Sequence, residues 1–163
     1  MAWAQAGRSG QPDLGPAVLS GVHPLLTGAL LSALDQMGHG DSVAVVDANF
    51  PAYRLGALVV EVPGSGAAVV AQAILTVSPL DTYEDASVSL MKTADGGRSP
   101  VQEELVRVAG VPAARIEELE RFEFYARTAK VFLVVRTGEH RPYGNVILRK
   151  GVIGGVPDPL APV

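Results

Sequence analysis

At 163 residues the chain is long enough for one domain with a substantial core. Its composition, 48% hydrophobic but only 6% aromatic, makes that core mostly Val, Leu, Ala and Ile. A net charge of −4 with no block of Lys and Arg argues against nucleic acid and anionic membrane as main partners. The lack of cysteine excludes disulfides, thiolate nucleophiles and cysteine-ligated metals, and fits a reducing cytoplasm.

The opening stretch, "MAWAQAGRSGQPDLGPAV", has no basic start followed by an apolar core, so it reads as a flexible extension over 1–18 rather than a secretory signal. The single domain then runs from 19 to 153. "HPLLTGALLSALDQMGHG" predicts a helix from about residue 27, with Thr27 as N-cap, Leu30, Leu31, Leu34 and Met37 on one face and Gly38 as stop. "SVAVVDA" and "ALVVEV" read as strands, the first of them buried. "GSGAAVVAQAILTVS" is a turn and a helix that ends before Pro79. "ASVSLMK" is a third strand, and "SPVQEELVRVAG" an amphipathic helix with Ser99 as cap, Pro100 in its first turn and Gly110 as stop. "ARIEELER" has the charges of a helix and the position of a strand; we read it as a strand. "FEFYARTAK" is then a helix, and "VFLVVRTG" and "NVILRKGV" the last strands. Helices alternate with apolar strands, which predicts an α/β layered, mostly parallel sheet flanked by helices, with an antiparallel pair near the C-terminus. The tail, 154–163, is too rich in proline for a helix and is expected to lie extended on the surface. No segment reaches the ~18 apolar residues of a membrane span.

The candidate chemistry begins at "GHGD". His39 sits between two glycines that let the backbone turn sharply and leave the imidazole unshielded. Imidazole gives and takes protons near neutral pH. The same spacing also suits a helix C-cap at Gly38 followed by a surface histidine. Asp47 ends an apolar strand, where α/β sheets bind ligands, yet an Asx-turn before Asn49 explains it equally well. Asp41 reads as a cap for the turn into that strand. Tyr143, Gly144 and Asn145 fall on a loop between two strands and suit either a site or a hairpin. Arg121 alone reads as a solvated charge. The three histidines, His23, His39 and His140, show no metal-ligand spacing. "GSGAAV" imitates a dinucleotide-binding turn, but Val69 stands where its third glycine belongs.

Taken together, GHGD, DANFP, RFEFY and YGN resemble the L-fucose mutarotase / D-ribose pyranase family over roughly residues 19–153. DANFP and RFEFY look like the fucose branch. The stretch 62–100 matches less well, and the first 18 residues extend beyond the family's usual start. The resemblance implies a cofactor-free isomerase that interconverts forms of a free monosaccharide. It also implies an α/β fold and a homo-oligomeric ring, commonly a decamer, with sites near subunit contacts. It assigns the acid/base role to His39 and sugar binding to Asp47, Arg121, Tyr143, Gly144 and Asn145.

Ring opening needs one proton taken from the anomeric hydroxyl and one given to the ring oxygen. No electron or group leaves the sugar. A difficulty remains: residues 41 and 47 lie ~20 Å apart along an extended strand at ~3.3 Å per residue. One site holds both ends only if the His39 loop folds back or if neighbouring subunits share it.

Overall fold

The computed structural model describes residues 19–154. The expected extension, 1–18, and the tail beyond Gly154 lie outside the described residues. Six strands form one sheet: β1 Ser42–Val46, β2 Val59–Val62, β3 Val88–Met91, β4 Ile116–Leu119, β5 Leu133–Thr137 and β6 Val146–Arg149. Among the described residues five α-helices and a 3-10 turn, Ala113–Arg115, accompany them: α1 Gly28–Gln36, α2 Ala52–Leu55, α3 Ala67–Leu75, α4 Pro100–Ala109 and α5 Arg121–Thr128.

The central strands β1, β3, β5 and β6 are buried on both faces, the edge strands β2 and β4 less so, and their alternating side chains feed two cores. Val43, Val45, Val88, Leu90, Leu133, Val135, Val146 and Leu148 meet Leu30, Leu34, Val70, Ile74 and Leu105 of α1, α3 and α4. Ala44, Val46, Met91, Leu119, Val134 and Ile147 meet Phe50, Ala52 and Phe124, the last two from α2 and α5. The result is a three-layer α/β sandwich.

Helix ends follow local chemistry. The Thr27 hydroxyl accepts Leu30 N–H at 3.4 Å, and Gly110 closes α4 in the left-handed region, φ 63°. Ser99 N–H donates to Gln102 Oε1 at 3.0 Å. Helix α1 ends differently from expectation. Met37, not Gly38, is its C-cap, in an extended conformation, because Lys150 Nζ reaches in to donate to the Leu34 and Met37 carbonyls. "ARIEELER" does hold a strand, β4, at the sheet's edge.

The strand order is β2-β5-β1-β6-β3-β4. β1 pairs in parallel with β5, β2 with β5, and β3 with β4. β6 is the reversed strand, antiparallel to both β1 and β3. The hairpin reading of the last loop therefore fails: β5 and β6 do not pair, because β1 lies between them. The chain climbs β5, crosses the carboxyl end of β1 through residues 138–145, and descends β6 on the other side. β6 thus links the two ends of β1.

Candidate active site

The carboxyl ends of β1, β3 and β4 face one open pocket of about 280 Å³, lined by Asp47, Asn49, Phe50, Met91, Arg121, Tyr125, Pro142, Tyr143 and Asn145. Asp47 follows β1 directly and is 6% exposed. Its Oδ1 accepts Asn49 N–H at 3.0 Å, the Asx-turn of the local reading, while its Oδ2 accepts Asn145 Nδ2–H at 2.7 Å. Asn145 returns the bond, its Oδ1 accepting Asp47 N–H at 2.9 Å. Burial pushes the Asp47 carboxyl up, and the Asn145 and backbone hydrogen bonds offset that only in part.

Arg121 opens α5, where a cation opposes the helix dipole. Its Nε donates to the Tyr125 hydroxyl at 3.3 Å one turn on, and its guanidinium carbon lies 5.6 Å from that ring's centroid. Phe50 meets Tyr125 edge to face at 5.3 Å and closes the wall. Tyr143 is the one non-glycine residue with positive φ (65°) among the described residues, a conformation that costs roughly 1–2 kcal/mol. Such strain gathers at functional sites. Gly144 lies behind this wall rather than in it. A Cβ there would approach Glu139 Cγ to 2.6 Å, so the position is closed to any side chain.

His39 stands at the other end of β1, away from this pocket. Its side chain is 46% exposed, and Nε2 lies 3.1 Å from Oδ1 of Asp81, which is fully buried. The Asp81 carboxyl also accepts Tyr83 N–H at 3.0 Å, Glu84 N–H at 3.4 Å and Arg149 Nε–H at 3.1 Å. Burial pushes it up, but these bonds outweigh burial and hold it well below the usual carboxylate range. The GHGD loop is fastened from β6: Gly40 N–H donates to Lys150 O at 2.9 Å, and Lys150 N–H to Asp41 O at 2.8 Å. Asp41 caps Gly38 N–H at 2.7 Å, and Gly40 turns the chain at φ 87°. The loop does not fold back toward Asp47.

The sequence model of the RbsD / FucU transport protein family matches residues 20–153. The chain belongs to this family. Within it, human fucose mutarotase is 42% identical over 146 residues, covering 83% of this chain and 94% of that protein. The crystal structure of the Streptococcus pneumoniae fucose mutarotase in complex with L-fucose superposes with a TM-score of 0.78 at 32% identity, covering 83% of this chain and 99% of that one. Bacillus subtilis RbsD complexed with D-ribose is more distant, with a TM-score of 0.65 at 25% identity, covering 78% and 95%.

Within this RbsD / FucU chain, Asp47, Arg121, Tyr143 and Asn145 converge on the pocket, whereas His39 does not reach it. Tyr125 and Asp81 escaped the residue-by-residue reading. A signal for Tyr125 was present: it lies four residues after Arg121 on a helix, hence on the same face. Asp81 carried none, being 42 positions from His39. His23 uses Nδ1 to accept Leu25 N–H at 3.2 Å and is not among the residues lining this pocket, and His140 is exposed. The "GSGAAV" turn does start a helix, but Glu139 already places a carboxylate at its N-terminus, 3.4 Å from Ala67 N. A phosphate would meet like charge there.

Proposed function

We propose that this protein is a cofactor-independent mutarotase that interconverts the α and β anomers of L-fucose or a related monosaccharide. The observation that carries the reading is the pocket itself: a hydroxyl-sized set of acceptors and donors, Asp47, Asn145, Arg121, Tyr125 and Tyr143, on aromatic walls, in a chain 42% identical to a fucose mutarotase. A carboxylate and a guanidinium bind sugar hydroxyls by charge-assisted bonds, and an aromatic ring packs on a sugar's apolar face.

His39 supplies the proton transfer. Asp81 holds its ring by Nε2, fixing which nitrogen is free to exchange protons. Positioned acid/base catalysis is worth roughly 10²–10⁴-fold per group. The Tyr125 phenol, which accepts a hydrogen bond from the Arg121 guanidinium and lines the pocket, is the second proton-transfer candidate. Anomeric hydroxyl and ring oxygen then each have a partner, and the open-chain aldehyde rotates before closing on the other face.

Because His39 and Asp47 lie at opposite ends of β1, a complete site takes the His39 end of one copy and the pocket of another. Exposed aromatics at both ends support this: Tyr83, 75% exposed, packs edge to face on His39, and Phe122, 80% exposed, packs on Tyr125. Apolar surface so placed suits subunit contacts, in a ring of the decameric kind. Among the described residues no helix is long and apolar enough to cross a membrane; with no cysteine in the chain, the cytoplasm is the compartment it fits.

Saturation-transfer NMR on L-fucose and D-ribose tests the reading. Faster exchange between the fucose anomers with micromolar protein, without added metal or nucleotide, is the expected result. Acceleration confined to the pyranose–furanose exchange of ribose would favour a pyranase, in keeping with the likeness to RbsD. Binding without acceleration would mean a sugar-binding module, and unchanged rates for both sugars would contradict the proposal.

A further inference from the structure

The loop that crosses β1, residues 138–145, is built around a carboxylate instead of an apolar core. Glu139 is 5% exposed. Its oxygens accept Arg141 N–H at 3.0 Å, Arg141 Nε–H at 2.8 Å, Arg141 Nη2–H at 2.9 Å and Ala67 N–H at 3.4 Å. Arg141 also forks onto Glu104 of α4, with Nη1 and Nη2 at 2.7 and 2.8 Å from its two oxygens. A planar guanidinium is the side chain able to satisfy two carboxylates at once. These bonds hold the Glu139 carboxyl down at about 2, against the pull of burial.

The main chain of this segment reaches the pocket. Glu139 O accepts Ala48 N–H at 2.8 Å. Glu139 N–H donates to Thr137 Oγ1 at 3.2 Å, and that hydroxyl donates to Val46 O at 2.8 Å. Both neighbours of Asp47 are therefore bonded to Thr137–Glu139, while Asp47 itself is bonded to Asn145 at the loop's far end. Gly144 seats its bare α-carbon against Glu139, leaving no room for a Cβ.

Glu139 lines no part of the pocket, so it binds no sugar directly. Buried ion pairs are a weak source of net stability, since well-packed apolar residues of the same volume often serve as well. We infer that Glu139, clamped by Arg141, which Glu104 holds in turn, is a positioning residue: it fixes the loop so that Tyr143 and Asn145 are set against Asp47. The inference rests on the reading of this pocket as the sugar site. Tyr143 keeps its strained backbone because the loop has no slack on either side, and a displacement of about 1 Å at such a site is enough to cost 10²-fold.

The test uses Glu139→Gln, Arg141→Met and Arg141→Lys in the full-length protein, with Val88→Ala, in the core on the other face of the sheet from Phe124, as a control for lost stability. L-fucose affinity is read by calorimetry, anomer exchange by NMR, and pocket geometry by hydrogen exchange at the Asp47 and Ala48 amides. Glu139→Gln and Arg141→Met are expected to weaken sugar binding roughly 10-fold or more and to lower protection at those two amides, with a smaller loss in exchange per bound sugar. Arg141→Lys keeps the charge but not the fork and should recover only part. Val88→Ala should lower Tm while leaving affinity and the two amides alone. Normal affinity and protection in folded Glu139→Gln or Arg141→Met would overturn the inference, as would an equal loss in Val88→Ala. If Glu139→Gln does not fold, the Arg141 pair decides. If the wild-type protein neither binds nor interconverts L-fucose, the proposed function fails, and amide protection still decides whether Glu139 positions the loop.

Discussion

The two ends of β1 carry opposite kinds of chemistry. At the amino end a tight turn, fastened by Lys150 and Asp41, holds His39 outward at 46% exposure, with a single buried carboxylate behind it. At the carboxyl end a concavity draws Asp47 inward to 6% exposure, beside an amide and aromatic walls. The two aspartates make the contrast physical. Both are buried. Asp81 has Arg149 and two backbone N–H groups besides His39, and its carboxyl is held low against burial; Asp47 has Asn145 and its own turn, and burial wins. The low one is a permanent anion suited to orienting an imidazole. The raised one is a better acceptor for a hydroxyl proton. One end projects and the other receives, so a strand that keeps them apart within a chain suits their meeting between chains.

The largest effect that bears on this contrast is at His39. His39→Gln should lower anomer exchange by roughly 10²–10⁴-fold while sugar still binds, as NMR and calorimetry on one sample would show. Full activity in that variant would remove the projecting end from the chemistry. Next is acid stability. Glu139 has a folded pKa of about 2 against an ordinary 4.5, so its stabilisation is complete above the ordinary value and is lost as pH falls through the folded one. A shift of this size is worth roughly 3 kcal/mol, and Glu139→Gln should flatten the fall in Tm between those two pH values. Asp81, also held low, adds acid sensitivity at the other end. Asp47 has the opposite sign: its raised pKa makes protonation favour the folded state, and sugar affinity should fade at a higher pH than an ordinary carboxylate would allow.

Asp47→Asn should weaken binding on the order of 10–100-fold, from the ~1.5–3 kcal/mol of a hydrogen bond to a charged group, with exchange of the bound sugar less affected. Titration calorimetry of the variant separates the two. The smallest effect is at Gly40, φ 87°, where Ala would carry strain and set its Cβ 3.2 Å from an Arg149 nitrogen. Gly40→Ala should cost about 1 kcal/mol, seen as a modest drop in Tm. Its exchange rate should fall further than that stability loss explains, because the turn aims His39.

Most of the fold was legible because it rests on local signals: valine runs for β1 and β5, Thr27 and Gly110 at helix ends, and even the charged edge strand β4. The position of β6 was not. Nothing in "RPYGN" tells a hairpin from a loop that crosses another strand, since the deciding bonds, Ala48 N–H to Glu139 O and Asp47 N–H to Asn145 Oδ1, join residues about 90 or more positions apart. The same limit governs the site. His39 and Asp47 stood out by motif, and Arg121, Tyr143 and Asn145 by resemblance. Asp81 and Glu139 are polar residues in unremarkable loops whose partners are brought to them by the sheet. Spacing along β1 did foretell the separation of His39 from Asp47.

If the two ends of β1 work together across copies of the chain, as proposed, variants that each lose one end should complement one another. Mixing His39→Gln, which loses proton transfer, with Asp47→Asn, whose weakened pocket stays mostly empty at sugar concentrations that fill the wild-type site only in part, tests this at such a concentration, because each variant retains the end the other lacks. Co-expressed or unfolded and reassembled together, then assayed by saturation-transfer NMR on L-fucose, they should recover about a quarter of wild-type exchange, the share of randomly assembled contacts with both ends intact. A mixed assembly, verified by mass, that exchanges no faster than the average of its two parents at the same sugar concentration would contradict a site shared between copies.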